Sequence, residues 1–109
     1  MRAVLTYADG RCDARECEVA TSFYRRFMGL MGRGSIEPTH CMAFPRCSSI
    51  HMFFMRFPID VIWAKGDDVI KVTHSLPQWH LDGCRGADMC VECAAETVGD
   101  GLVSVVIEP

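Results

Sequence analysis

Cysteine and histidine side chains are the residues of this sequence best suited to chemistry. Cys47-x-x-x-His51 and His80-x-x-x-Cys84 are two pairs with mirrored spacing, and two cysteines with two histidines form a common tetrahedral zinc ligand set. Neither pair has the Cys-x-x-Cys spacing that marks a zinc knuckle. The same side chains could form a cysteine–histidine nucleophilic pair, although no elbow or oxyanion-loop sequence surrounds either cysteine. The spacing therefore keeps a metal- or thiol-dependent site open as an alternative.

Cys90-x-x-Cys93 has the spacing of a redox motif, which works when the first cysteine begins a helix. Its apolar neighbours indicate a strand instead, in which residues three apart point to opposite faces. We therefore expect both cysteines to pack in the core. The chain has seven cysteines and does not open on an apparent export signal, so we expect thiols instead of a disulfide framework. A Cys47–Cys84 bridge is the open alternative.

Asp60 is the polar residue with the clearest potential for a role in binding. It lies between Ile59 and Val61 in an otherwise apolar strand, so its carboxylate points to the face opposite those two side chains. If that face is buried, the charge needs a partner or several backbone donors, and Arg26 and Arg56 are candidates. Asp60 is then either a ligand contact or a structural residue that pairs with a charge or caps a turn.

Trp79 belongs to a loop that also carries Arg85, and a loop aromatic of this kind could stack on a ligand. The run 52–55, Met-Phe-Phe-Met, could line a groove, but we expect it to be the core of a strand. Glu92 is expected to face solvent. The candidate binding residues are Arg26, His51, Met55, Arg56, Asp60, Trp79 and Arg85.

Short apolar-polar alternations set the expected fold. They predict strands at residues 4–7, 16–20, 41–44, 50–56, 59–64, 69–73, 89–94 and 102–107. An N-cap at Thr21 or Ser22 and a stop at Gly29 predict one short helix near residues 22–28. The sequence thus predicts a mainly β single domain, residues 1–109, built as an antiparallel sandwich or small barrel.

Composition and net charge limit the classes of partner that can be expected. Half of the 109 residues are hydrophobic, 23% are charged, and the net charge is −3. An acidic chain with dispersed basic residues gives no electrostatic reason to expect nucleic acid or an anionic membrane as a partner. The apolar stretch at the start is too short for a secretory or membrane-spanning segment, so we expect a cytoplasmic protein.

Three blocks resemble a known family. They are Arg26-x-x-Gly29-Leu30-Met31-Gly32-Arg33, the run from His51 to Ile62 with its Phe-Met and Pro-x-Asp steps, and Cys90-Val91-Glu92-Cys93-Ala94-Ala95. In order and spacing they resemble the domain of unknown function 192 family of bacteria and archaea, over about residues 16–107. The resemblance implies a mainly β domain without an established reaction. The resemblance also implies that members of the family have residues equivalent to Cys47, His51 and Cys84, but no residue equivalent to His80.

These observations favour a non-catalytic accessory domain that binds a small ligand or a protein. The expected site is a cleft between residues 47–56 and 79–85, with Asp60 and Arg26 as polar anchors. No cofactor and no catalytic residue is expected. The alternative is a metal- or thiol-dependent site, with zinc as the metal, built from Cys47, His51 and Cys84. A third hypothesis is a partner protein that binds through an exposed sheet edge. The ligand and the oligomeric state are left open.

Overall fold

Nine β-strands form the regular structure of the residues described by this computed structural model, which are 1–21, 30 and 33–109. They are β1 Arg2–Tyr7, β2 Cys12–Val19, β3 His40–Pro45, β4 Ser49–His51, β5 Ile59–Lys65, β6 Asp68–Leu76, β7 Leu81–Gly83, β8 Met89–Ala94 and β9 Leu102–Glu108. The helix predicted near residues 22–28 lies outside the described residues. Within those residues, we find no helix of membrane-spanning length and hydropathy.

Seven of the strands close into a barrel in the order β1-β2-β3-β8-β5-β6-β9, and β4 pairs with β7 in a separate two-stranded ribbon. Neighbouring barrel strands are antiparallel, except that β2 and β3 run parallel. The seam between β6 and β9 is narrow, since the register there is the single pair Asp68 and Ser104. The mainly β fold predicted from the sequence is confirmed, and of the two predicted architectures, a sandwich or a small barrel, the structure has the barrel.

Two apolar cores lie on the two faces of the barrel wall. Alternate residues of β5 and β8 point inward, and the inner core includes Leu5, Ile62, Val91 and Val105. The other residues of the same strands point outward, and the outer core includes Met42, Met52, Ile59 and Trp63. Six consecutive residues of β5 are therefore buried, as expected for a strand that is covered on both faces.

The predicted strand at residues 50–56 is wrong beyond its first residues. β4 ends at His51, and the backbone then turns, with the Met55 N–H donating to the Met52 carbonyl at 3.3 Å. Phe54 has a φ of +65°, which no strand residue adopts. Met52 and Met55 are buried in the outer core, whereas the two phenylalanines between them are exposed. The run is thus a loop, and it is not a core strand.

Candidate functional site

Exposed aromatic side chains gather at one end of the β4–β7 ribbon. We define the aromatic patch as four of these side chains, His51, Phe53, Phe54 and Trp79, together with Leu81, the register partner of His51. The ring centroids of Phe53 and Phe54 lie 5.9 and 5.0 Å from that of Trp79, and His51 stacks on Phe53 at 4.9 Å. The exposed fractions are 67% for Phe54, 59% for Trp79 and 69% for Leu81. The patch is therefore a continuous apolar surface open to solvent.

The backbone that carries the patch is bent and firmly hydrogen-bonded. The Trp79 N–H donates to the Met52 carbonyl at 2.8 Å, and the Met52 N–H donates to the His80 carbonyl at 2.8 Å. The side chain of Met52 is fully buried beneath this turn. Phe54 and Trp79 have φ angles of +65° and +67°, a region that costs a bulky residue about 1 kcal/mol or more. The fold thus holds both aromatics in unfavourable conformations.

Asp82 anchors the ribbon to the barrel. Its carboxylate accepts hydrogen bonds from Trp63 Nε1 at 2.9 Å and Thr73 Oγ1 at 2.6 Å, and from Lys71 Nζ at 2.9 Å. Lys71 also donates to the Gly83 carbonyl. Burial alone would raise the pKa of the Asp82 carboxyl, but the hydrogen bonds from Thr73, Lys71 and Trp63 outweigh it and lower the pKa. Sequence analysis did not single out Asp82.

The six candidate binding residues that the structure describes do not form one site. His51 and Trp79 meet in the patch through Phe53, whereas Met55 is buried in the outer core. Arg56 is exposed in the β4–β5 loop, and Arg85 is exposed just past the ribbon end opposite the patch. Arg26 lies outside the described residues. The expected cleft between residues 47–56 and 79–85 is instead a hydrogen-bonded ribbon with aromatic side chains at its end.

Asp60 binds backbone groups of the fold. Its side chain points into the barrel, opposite Ile59 and Val61 as predicted, and is fully buried. Its two oxygens accept four backbone N–H groups at 2.8–3.1 Å, those of Ser75, Glu96, Thr97 and Val98. His74 Nδ1 lies 3.9 Å away, and among the described residues no arginine contacts the carboxylate. Asp60 therefore ties the β8–β9 turn to β5 and β6.

Arg15 binds the same turn through its guanidinium group. It is 3% exposed, and it donates to the Thr97 carbonyl at 2.7 Å and to the Thr97 hydroxyl at 2.9 Å. Its Nε also donates to Asp13 at 2.9 Å. Two buried charges, Asp60 and Arg15, thus stabilise one connection between strands.

The prediction that Glu92 faces solvent is wrong. It lies opposite Met42 and Val61 on the outer face of the wall and is 7% exposed. The pKa of the Glu92 carboxyl is raised to about 8 by two causes. Burial is the larger, and the nearby Cys47 is the smaller. The alternation of β8 gave the correct face, but residues of the outer core pack on that face.

The cysteines and histidines do not meet as the metal hypothesis requires. In the described part of the chain, no three His, Cys, Asp or Glu side chains are placed to hold a metal ion. Cys84 lies beside the Ser48 end of the ribbon, and His51 is at the other end. No disulfide joins any of the seven cysteines. Cys90 belongs to the outer core and Cys93 to the inner core, on opposite faces of β8.

A cavity of about 300 Å³ lies elsewhere, beside the parallel pair β2 and β3. It is lined by residues 16–18 of β2, residues 40–42 of β3, and residues 33 and 35–37 before β3. Arg33 and Glu18 form an ion pair at 2.8 Å among these residues. No residue of the aromatic patch lines this cavity.

Barrel, ribbon and patch together describe a small β-barrel protein with an exposed apolar surface outside the barrel. The chain belongs to the family DUF192, described as Uncharacterized ACR, whose model matches residues 4–105. The match extends further toward the N-terminus than the resemblance in the sequence indicated. No protein with a curated description matches the chain.

Two solved structures share the fold. One is a protein of Sinorhizobium meliloti 1021 that is described as a candidate transcription regulator, with a TM-score of 0.85 and 23% identity over 96% of this chain and 91% of that one. The other is a protein of unknown function from Novosphingobium aromaticivorans DSM 12444, with a TM-score of 0.84 and 17% identity over 98% of this chain and 84% of that one. At these identities the likeness concerns the fold alone.

Proposed function

We propose that this protein is a non-catalytic binding protein that holds an apolar segment of a partner protein on the aromatic patch. One observation carries the proposal: Phe54 and Trp79 are more than half exposed and have positive φ angles. Because these rings are exposed, they do not contribute the stabilisation that burial of apolar surface gives. Their positive φ angles add backbone strain. Folding gains little from either, so we assign both rings to recognition.

The shape of the patch favours a protein partner over a small molecule. Small-molecule sites are concave and bury most of the ligand surface, whereas these rings stand at the tip of a ribbon. Tryptophan and phenylalanine are enriched in protein interfaces, and buried aromatics often supply most of the binding energy there. The rings are placed to insert into a groove of the partner, or to pack against an apolar segment laid across them.

Nucleic acid is not the partner that we propose. A net charge of −3 supplies no basic surface for the phosphate contacts that dominate binding to DNA or RNA. The description of the Sinorhizobium protein as a candidate transcription regulator is therefore not extended to this chain.

Peptide selection tests the proposal even though the partner protein is unidentified. A random-peptide phage library is selected on the immobilised protein and depleted on the double variant Phe54→Ala/Trp79→Ala. We expect enriched peptides with two or more large apolar residues. Their affinities are measured by isothermal titration calorimetry, which gives the dissociation constant of the double variant as well, although that variant lacks Trp79.

The matched control is Ile70→Ala, since Ile70 is another exposed apolar residue, 48% exposed, on β6. The proposal predicts that the double variant loses at least about tenfold in affinity and that Ile70→Ala retains the wild-type value. Equal affinities in wild type and double variant would overturn it. So would patch-dependent dimerisation in size-exclusion chromatography without peptide enrichment, because the partner would then be a second copy.

A further inference from the structure

Two thiols lie in contact on the outer face of the barrel, where the chain leaving β3 passes the start of β8. The Sγ atoms of Cys47 and Cys90 are 3.6 Å apart, and the Cys90 thiol donates a hydrogen bond to Cys47. The Cys47 N–H donates to the Asp88 carbonyl at 3.3 Å, which fixes the Cys47 backbone beside β8. A shift of less than about 2 Å between the side chains would bring the sulfurs to bonding distance.

The two thiols differ in access to solvent. Cys47 is partly exposed, whereas Cys90 is fully buried. A small oxidant in solution therefore reaches Cys47 first, and Cys90 is already in contact with the sulfur that would be oxidised. A partly exposed thiol with a second thiol beside it is the usual arrangement of a redox-active cysteine pair.

The inner-core cysteines provide an internal comparison. Cys17 is the register partner of Cys41, which is in turn the partner of Cys93, so the three form a row across β2, β3 and β8. They are 7%, 3% and 0% exposed. Hydrogen bonds with Cys17 and Cys93, together with burial, raise the pKa of the Cys41 thiol. The three thiols are close to one another, but an oxidant has little access to them. We therefore do not expect this row to be reactive.

We propose that Cys47 and Cys90 are a reversible dithiol–disulfide pair that is oxidised by hydroperoxides. The Cys47 sulfur, as thiolate, attacks the terminal oxygen of the hydroperoxide, the O–O bond breaks, and the alkoxide leaves and takes up a proton to become an alcohol. Cys47 is then a sulfenic acid. The Cys90 sulfur attacks the Cys47 sulfur, the S–O bond breaks, and hydroxide leaves as water with the Cys90 proton. Two thiols thus lose two electrons, and the hydroperoxide becomes alcohol and water.

Mass spectrometry after peroxide treatment tests the pair. The exposed Cys12 is replaced by serine to prevent bridges between molecules, the protein is treated with a small excess of hydrogen peroxide, and the remaining thiols are alkylated. Trypsin places Cys47 alone in peptide 47–56, Cys84 alone in peptide 72–85, and Cys90 with Cys93 in peptide 86–109. Fragmentation of a linked pair distinguishes Cys90 from Cys93.

We expect peptide 47–56 linked through Cys90 to peptide 86–109, with loss of two hydrogen atoms, and full reversal by dithiothreitol. Cys90→Ala should replace the link by a dimedone-reactive sulfenic acid at Cys47, and Cys84→Ser should leave the link unchanged. Cys17 and Cys41 should react at least about tenfold more slowly than Cys47. A Cys47–Cys84 link, or intact thiols at both Cys47 and Cys90 after treatment, would overturn the proposal. The mapping needs only the Cys12→Ser protein, so it does not depend on whether Cys90→Ala folds.

Discussion

Asp60 and Glu92 are buried carboxylates on opposite faces of the barrel wall, and they differ in their hydrogen-bond donors. Asp60 accepts four backbone N–H groups, so its charge is compensated where it lies. Glu92 has no comparable set of donors among the described residues, and burial raises the pKa of its carboxyl to about 8. One carboxylate therefore stabilises the fold, whereas the other destabilises it once it ionises.

Glu92→Gln should stabilise the protein at neutral and alkaline pH. The ordinary pKa is 4.5 and the folded-state pKa is about 8, so between these values the native state keeps a proton that the unfolded state has lost. Wild-type stability therefore falls relative to the variant as pH rises through this window, by roughly 3 kcal/mol near pH 7. Urea unfolding of both proteins at pH 5 and pH 8 measures the difference.

The control for this prediction is Asp67→Asn, because the Asp67 side chain is exposed and forms no ion pair with the other described residues. We expect its stability relative to wild type to be the same at both pH values. A Glu92→Gln protein that is less stable than wild type at pH 8 would show that the Glu92 charge is compensated in the native state.

Asp60→Asn should destabilise the protein by about 2–4 kcal/mol. The amide keeps one oxygen acceptor and turns an NH₂ group toward backbone N–H donors, which leaves donors unpaired in a buried site. Chemical denaturation measures the loss. The matched control is Asp88→Asn, since Asp88 is exposed and, among the described residues, its carboxylate accepts only the Gly66 N–H. A loss of less than about 1 kcal/mol in Asp60→Asn would contradict the structural role.

The sequence predicted part of the environment of Asp60 and missed the rest. Strand alternation correctly placed its carboxylate on the face opposite Ile59 and Val61. Its partners could not be predicted, because they are backbone groups of Ser75 and of residues 96–98, and their approach depends on the long-range pairing of β5, β6 and β8. Arginine was a reasonable expectation for a buried carboxylate, but backbone donors serve equally well.

At the level of elements, the short ribbon depends on Asp82 for its position on the barrel. A two-stranded sheet of three residues per strand is marginal on its own. The hydrogen bonds from Trp63, Lys71 and Thr73 to Asp82 connect it to β5 and β6. Loss of this anchor should loosen the ribbon and leave the barrel closed.

Asp82→Asn should accelerate hydrogen exchange of the Met52 and Trp79 amides by at least about tenfold. These amides hold the turn under the patch, and the asparagine amide would oppose the Trp63, Lys71 and Thr73 donors. Exchange in β3 and β8 should not change. Exposed Asp67→Asn is the control, and equal exchange rates in Asp82→Asn and wild type would contradict the anchor.

The same anchor has a defined pH dependence. Because the folded-state pKa of Asp82 is lowered from its ordinary value of 3.8, its contribution is fully present above pH 3.8 and is lost as pH falls through the folded-state value. Acid should therefore abolish the difference in exchange between wild type and Asp82→Asn.

The loop at residues 52–58 shows where strand prediction fails. Its composition is typical of a strand, with consecutive aromatic and sulfur-containing residues. Met52 and Met55 are buried and lie three residues apart, with the exposed Phe53 and Phe54 between them. That spacing fits neither the two-residue period of a strand nor an extended buried run. The turn arises from hydrogen bonds to the distant residues 79 and 80, which the local sequence does not reveal.

On the scale of the whole molecule, alternation was sufficient to predict a mainly β fold, but it left a sandwich and a small barrel as alternatives. The strand order was not predictable, because the parallel pairing of β2 with β3 and the insertion of β8 between β3 and β5 are long-range events. The same limit applies to function. His51 and Trp79 were both selected from the sequence, but only the pairing of β4 with β7 brings them into one surface.

Our central claim is that the aromatic patch serves binding and not folding, and titration of a library-selected peptide into Phe54→Asn tests it most directly. Asparagine tolerates the φ of +65° at this position, so the variant should keep the wild-type unfolding free energy to within about 1 kcal/mol. We predict that its dissociation constant for the peptide rises at least about tenfold. An unchanged dissociation constant, with a loss of more than about 2 kcal/mol in stability, would contradict the claim and make the patch part of the fold.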